Sequence, residues 1–157
     1  TLRESVYERQ RKGAELRDMV EQELAAAHIE AKFAWDNGAT EAQMEDILQL
    51  LRQSQWRWDY AVASHGAPFH APIEFQRLLS QSLDRAHKAR FATSKVLAQL
   101  GHIGDVPMPD ISTKVKAQAY IGLDIPQEEA DKKVFMETVV PEWIKTAKAN
   151  NRLVSRR

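Results

Sequence analysis

Two histidines five positions apart, His65 and His70, flank a turn that Pro68 and Pro72 stiffen, and their type and spacing suit ligand chemistry better than any others in the chain. A neutral imidazole offers a lone pair to a metal, and a backbone restricted by two prolines loses little entropy when it does so. A zinc ion held by both histidines would still need further ligands, and no carboxylate or thiolate nearby has matching spacing. A haem iron asks less of such a loop. The porphyrin supplies four nitrogens and another segment can fill the opposite position, so one imidazole suffices. Histidines at helix ends are also commonly structural, and on the residues alone these readings stay open. Just upstream, Trp56, Trp58 and Tyr60 crowd the end of a helical run and offer an apolar wall beside the turn.

Other chemistries find no residues to carry them. The 157-residue chain has no cysteine. That excludes disulfides, thiolate nucleophiles, iron–sulfur ligation and a haem attached through the chain's own thiols. No glycine-rich phosphate loop, Gly-x-Ser-x-Gly or His-Glu-x-x-His is present. The segment His28-Ile29-Glu30-Ala31-Lys32 lacks the second histidine of a zinc helix, so His28 reads as a half-buried helix residue. Glu41, Glu45 and the run Gln127-Glu128-Glu129 sit in first turns, where carboxylates offset the positive helix end. His87, among Arg85, Lys88 and Arg90, reads as solvated, and His102 as a cap on the terminal carbonyls of the preceding helix. Lysine plus arginine and aspartate plus glutamate number 22 each. With no basic stripe among aromatics, nucleic acid is not an expected partner. No apolar run approaches the roughly 18 residues of a membrane span.

The elements that must position the turn are helical. Leu16, Val20, Leu24, Ala27, Ala31 and Ala34 recur at steps of three and four, giving a first helix over 1–36. Gly13 within it costs on the order of 1 kcal/mol relative to alanine, which predicts fraying before it. Asp36-Asn37-Gly38 closes this helix and the capping box Thr40-Glu41-Ala42-Gln43 opens the next, over 41–65. That helix carries Met44, Ile47, Leu48, Leu51, Trp58 and Val62 on one stripe, while Trp56 falls off it, toward a second core edge, another domain or a cofactor. Residues 66–71 form the turn. Pro72 opens a third helix over 72–100, with Phe75, Leu79, Leu83, Ala86, Thr93, Val96, Leu97 and Leu100 inward. A short helix over 112–121 and a last helix over 125–150 follow, the latter kinked at Pro141 so that Trp143 and Ile144 pack down. No repeat is evident. The expected fold is all-α, one domain of long antiparallel helices joined by short turns, with a polar, basic tail over 150–157.

Several segments carry a resemblance in the same order along the chain. They are Ala31-Lys32-Phe33-Ala34-Trp35-Asp36-Asn37-Gly38-Ala39-Thr40-Glu41-Ala42, Gln55-Trp56-Arg57-Trp58-Asp59, Ala63-Ser64-His65-Gly66 with His70-Ala71-Pro72, Pro109-Asp110-Ile111-Ser112-Thr113-Lys114, Ile121-Gly122-Leu123 and Val140-Pro141-Glu142-Trp143. Together they resemble the C-terminal helical part of the ammonia-forming multihaem cytochrome c nitrite reductases. The resemblance implies a periplasmic oxidoreductase that reduces nitrite to ammonia through c-type haems, with calcium in the parent enzyme. It implies a homodimer, a haem-bearing N-terminal part of the same enzyme, and a quinol-oxidising or other cytochrome as electron donor. By its place in His-Ala-Pro, His70 matches the distal axial ligand of a bis-histidine relay haem; His65 is not carried over as a ligand. The chain has neither the Cys-x-x-Cys-His haem-attachment motifs nor the Cys-x-x-Cys-Lys motif of the active-site haem. It is therefore expected to be a haem-capping, dimerising C-terminal portion, inactive alone and not itself binding calcium. The alternative expectation is a stand-alone, cofactor-free helical interaction module.

Overall fold

The computed structural model describes residues 1–153 and is all-α, with no strand among them. Its helices are α1 (Leu2–Asp36), α2 (Glu41–Ala63), α3 (Ala67–His70), α4 (Pro72–Gln99), α5 (Lys114–Tyr120) and α6 (Ile125–Ala149). They divide into two compact units, Thr1–Met108 and the residues from Pro109 onward. Of the tail expected over 150–157, residues 154–157 lie outside the described residues.

In the first unit α4 packs along both α1 and α2, and α1 meets α2 over a smaller contact. Residue pairings give the directions. Ser54 meets Ser82 and Gln43 meets Gln99, so α2 and α4 run antiparallel. Gly13 lies beside Phe75, and Glu30 meets Arg90, so α1 and α4 run parallel. The connection between α1 and α2 follows the capping chemistry of the sequence. Thr40 accepts from the Gln43 backbone N–H, and the Gln43 side chain accepts from the Thr40 N–H at 2.9 Å. Gly38 takes the positive φ of 92°, while Asn37 stays at φ −99°.

The apolar stripes fill two core clusters. One gathers Leu24, Ala27, Ala31, Ala34, Met44, Ile47, Leu51, Ala89, Val96 and Leu97; the other gathers Val20, Ala61, Phe75, Leu78 and Leu79. Trp58 packs against both. Leu48 is exposed. Ser54, Ser82 and Thr93 are fully buried instead, each hydroxyl bonded to a carbonyl.

Gly13 does not fray its helix. α1 is continuous from Leu2, where Thr1 and Glu4 form a capping box, and Gly13 is buried. A Cβ there would stand 3.1 Å from Phe75 Cε1, so the missing side chain is what lets α1 approach the Phe75 ring.

In the second unit α5 is shorter than expected, opening on Thr113, whose side chain accepts from the Lys116 N–H. α6 opens on Asp124, which accepts from the Gln127 N–H at 3.2 Å. The Gln127 side-chain amide donates to Asp131 at 2.8 Å. Pro141 lies inside a helix that runs unbroken from Ile125 to Ala149. Trp143 and Ile144 were expected to pack down, yet they are 62% and 43% exposed, and no residue of α6 is buried. Within its own unit α6 has only the seven-residue α5 as a neighbouring helix, too little surface to cover it. Phe135 and Trp143 meet edge to face, centroids 5.3 Å apart.

Candidate functional site

The segment between α2 and α4 is more ordered than a turn. α2 ends at Ala63, two residues before the expected end, because Ser64 leaves helical geometry (ψ 66°) and its hydroxyl donates back to the Tyr60 carbonyl at 2.7 Å. Gly66 is the residue that opens α3. The single turn of α3 is tied at both ends: Ala67 N–H donates to Ser64 O at 2.8 Å, His70 N–H to Gly66 O at 2.9 Å and Ala71 N–H to Ala67 O at 2.9 Å. Pro68 lies in the first turn of α3 and Pro72 opens α4, where a missing N–H costs nothing.

His70 stands at the end of α3 with its side chain exposed. Its ring meets Phe69 edge on, centroids 4.8 Å apart and planes at 87°. A Cβ on Gly66 would come within 3.3 Å of His70 Cδ2, so the glycine leaves room for the imidazole beside the backbone. His65 is also exposed, one residue beyond the α2 cap, with its N–H donating to Ala63 O. Among the described residues no three histidine, cysteine, aspartate or glutamate side chains gather to hold a metal ion, so a zinc shared by His65 and His70 would lack its remaining ligands.

The aromatic wall is partly as expected. Trp56 and Tyr60 stack at 5.6 Å with planes 20° apart, and both are more than half exposed. Trp56 is therefore no second core edge among the described residues. Trp58 is the inward residue, and its buried indole N–H has no partner among the described residues.

Histidines given simple roles by the sequence behave differently. His28 is exposed, not half-buried. His87 Nε2 lies 3.3 Å from Glu23 Oε2, so it is exposed yet partnered. Only the backbone of His102 caps α4, its N–H donating to Leu97 O at 2.9 Å. Its ring turns inward, edge on to Phe33 at 4.8 Å, with Nε2 buried and without a hydrogen-bond partner among the described residues. Beside it opens a cleft of about 510 Å³ lined by Glu30, Arg90, Phe91 and Ile103 among others. Arg90 bridges Glu30 and Glu23 across α1 and α4; the Glu30 hydrogen bonds above all hold its proton more tightly than usual, against the opposing effect of burial. Local spacing cannot announce this bridge, since Arg90 lies 60 and 67 residues from its two partners.

What fold and site define is an all-α helical chain that presents an exposed imidazole, without a side-chain hydrogen bond among the described residues, on a short, proline-bounded helix. The chain belongs to the Cytochrome c552 family, whose model matches residues 1–152. It is 65% identical over 156 residues to a cytochrome c-552 of Bacteroides thetaiotaomicron, covering 99% of this chain and 32% of that protein. It is 63% identical over 153 residues to a cytochrome c-552 of Parabacteroides distasonis, and 58% identical over 154 to one of Porphyromonas gingivalis, covering 98% of this chain and 31% of the relative in both cases. The chain thus spans about a third of the length of the curated relatives it matches.

These findings correct the resemblance. The family is Cytochrome c552 and the relatives carry the name cytochrome c-552, so the expected assignment to the ammonia-forming nitrite reductases gives way to it, together with the enzymatic role. Calcium has no support in the family or the relatives' names. A c-type cytochrome is a haem protein, and the residues fit that group at one point: His70 is exposed and makes no side-chain hydrogen bond among the described residues. No helix among the described residues is long and apolar enough to cross a membrane.

Proposed function

We propose that this chain is the haem-facing helical part of an electron-carrying c-type cytochrome, with His70 as an axial ligand. The carrying observation is the placement of His70 on a backbone fixed from Ser64 to Phe75, its imidazole exposed, set edge on to Phe69 and without a side-chain hydrogen bond among the described residues. Thioether attachment requires cysteines, of which these 157 residues have none, so the haem would be anchored by another part of the protein. When bound, the haem supplies a one-electron iron couple. The chain's own residues do the rest. α3 sets the direction of the imidazole, Gly66 leaves its ring room, and Phe69 limits rotation and keeps water from one edge. The ligand must be neutral imidazole, so protonation competes with binding.

Three partners follow: the haem-bearing part of the same protein, a second copy of this chain, and a quinol-oxidising or other cytochrome as electron donor. The periplasm is the compartment this reading implies. The exposed apolar side chains of α6, Val134, Phe135, Met136, Trp143 and Ile144, support a protein partner for that helix.

His70→Ala in the haem-bearing protein tests the ligand. One low-spin haem should become high-spin or take a new ligand, seen by electron paramagnetic resonance and the near-infrared ligand-field band. An unchanged low-spin count would remove His70 from the iron.

A further inference from the structure

Helices α2 and α4 carry the same five-residue pattern, Gln-Ser-x-x-Arg, at Gln53-Ser54-Gln55-Trp56-Arg57 and at Gln81-Ser82-Leu83-Asp84-Arg85. This is an internal repeat, where none was expected, and the fold brings its two copies face to face. At the centre each buried serine hydroxyl donates to the other serine's carbonyl, both at 2.8 Å. Around them the arginines reach across. Arg57 Nε donates to Gln81 Oε1 at 3.3 Å and its Nη1 to Gln53 O at 2.8 Å. Arg85 Nε donates to Gln53 Oε1 at 3.1 Å and its Nη1 to Gln81 O at 3.3 Å. The arrangement is a local two-fold, with both guanidiniums tied to the same two glutamines.

The partners are the unusual part, because every acceptor just named is neutral. Arg57 has no carboxylate partner among the described residues, and Arg85 has only its neighbour Asp84 at 3.6 Å, which Lys88 holds at 2.8 Å. Two cations on one partly buried face, with a single carboxylate beside them that Lys88 holds more closely, repel each other. Burial first, then the charges of Arg85 and Arg77, loosens the Arg57 proton. A guanidinium has five N–H donors in a fixed fork, and the four contacts use only two on each. Each fork keeps three N–H donors for an anionic acceptor, and a carboxylate is the side-chain group whose two oxygens take such donors in pairs.

We propose that Arg57 and Arg85 form a carboxylate-binding clasp on the α2–α4 face. The glutamines hold the guanidiniums apart and oriented, Trp56 covers one flank with the Arg57 guanidinium 5.9 Å from its ring centroid, and the ligand supplies the missing negative charge. A haem propionate and an acidic side chain from another segment of protein are the two sources of such a group. The clasp stands whether or not His70 ligates iron.

The test follows the arginine Nε–Hε resonances of the full chain during titration with succinate, against chloride at matched ionic strength. Arg57 and Arg85 should shift together along one saturable curve, while Arg77, already paired with Glu74, stays in place. Arg57→Gln should weaken binding read at Arg85 by about tenfold or more, and Arg57→Lys should weaken it too, since charge remains but the fork is lost. Arg85→Gln, with far-UV circular dichroism as a check on folding, gives the reciprocal reading at Arg57. Shifts that never saturate, or that survive both glutamine variants, would overturn the clasp. The haem-bearing protein separates the sources. Exclusion of succinate with a lower haem midpoint potential in Arg57→Gln identifies a propionate, and exclusion with the potential unchanged identifies an acidic side chain.

Discussion

Gly13 offers the sharpest test of how the bundle is packed, because two effects of opposite sign meet there. Replacing a glycine within a helix by alanine stabilises the helix by about 1 kcal/mol. The new Cβ would stand 3.1 Å from Phe75 Cε1, closer than ordinary van der Waals contact, and Phe75 is 5% exposed in a cluster with Val20, Ala61, Leu78 and Leu79. Overpacking of that kind costs about 1–3 kcal/mol, so Gly13→Ala should leave the protein about 0–2 kcal/mol less stable despite its better propensity. Chemical denaturation followed by circular dichroism reads the difference. A Phe75→Leu background decides the cause: it is itself less stable, but in it the same Gly13→Ala change should become stabilising by up to about 1 kcal/mol. If Gly13→Ala stabilises both backgrounds equally, the close approach of α1 to Phe75 is not what holds a glycine at this position.

Two further outcomes follow from the ion pairs. Arg90→Gln leaves Glu30, whose side chain is 13% exposed, and Glu23 without their cation, and should cost about 1–3 kcal/mol in denaturation, whereas Glu23→Gln, with Glu30 still in place, should cost less than about 1. Asp110 accepts from Lys116 and from the Ser112 hydroxyl and N–H, and these bonds, Lys116's first, lower its pKa from 3.8 to about 2. A carboxyl depressed on folding contributes stability above its unfolded pKa and loses it as pH falls through the folded one, so this local structure should loosen between about pH 4 and pH 2. Carboxyl carbon NMR should show Asp110 titrating near the lower limit, and Lys116→Met should move the midpoint up.

What the sequence disclosed follows the range of the interactions involved. The capping box at Thr40 and Gln43 needs only residues three apart, and so do the stripes that placed Val20, Leu24 and Ala27 inside; both were legible. The reason for Gly13, the Phe75 ring, lies 62 positions away in the chain, beyond the reach of local propensity. The Glu23–Arg90–Glu30 bridge and the inward ring of His102 were invisible for the same cause. The Gln-Ser-x-x-Arg pair was visible in principle. Serine at a core-facing position lowers the apolar signal of a stripe, so a search for hydrophobic period passes over the place where two helices exchange hydroxyls. Trp143 and Ile144 failed differently: an apolar residue on a helix face predicts burial only if another element is there to cover it, and within its own unit α6 has little.

His65 and His70 looked equivalent as residue types, and their backbones separate them. His65 falls between Ser64, where α2 has already unwound, and Gly66, where α3 has yet to begin. His70 is the last residue of a turn whose N–H groups are paired on both sides of it and whose neighbour Ala71 accepts from the Phe75 N–H at 3.0 Å. An axial ligand must hold its nitrogen to within a fraction of an ångström of the iron, and that demand is met by locking the supporting backbone and not by the side chain alone. Four residues of helix between two long antiparallel helices do this with few atoms. The same two helices, one turn after another, place Arg57 and Arg85 on their shared face, so one packing arrangement fixes both the proposed iron ligand and the proposed carboxylate clasp.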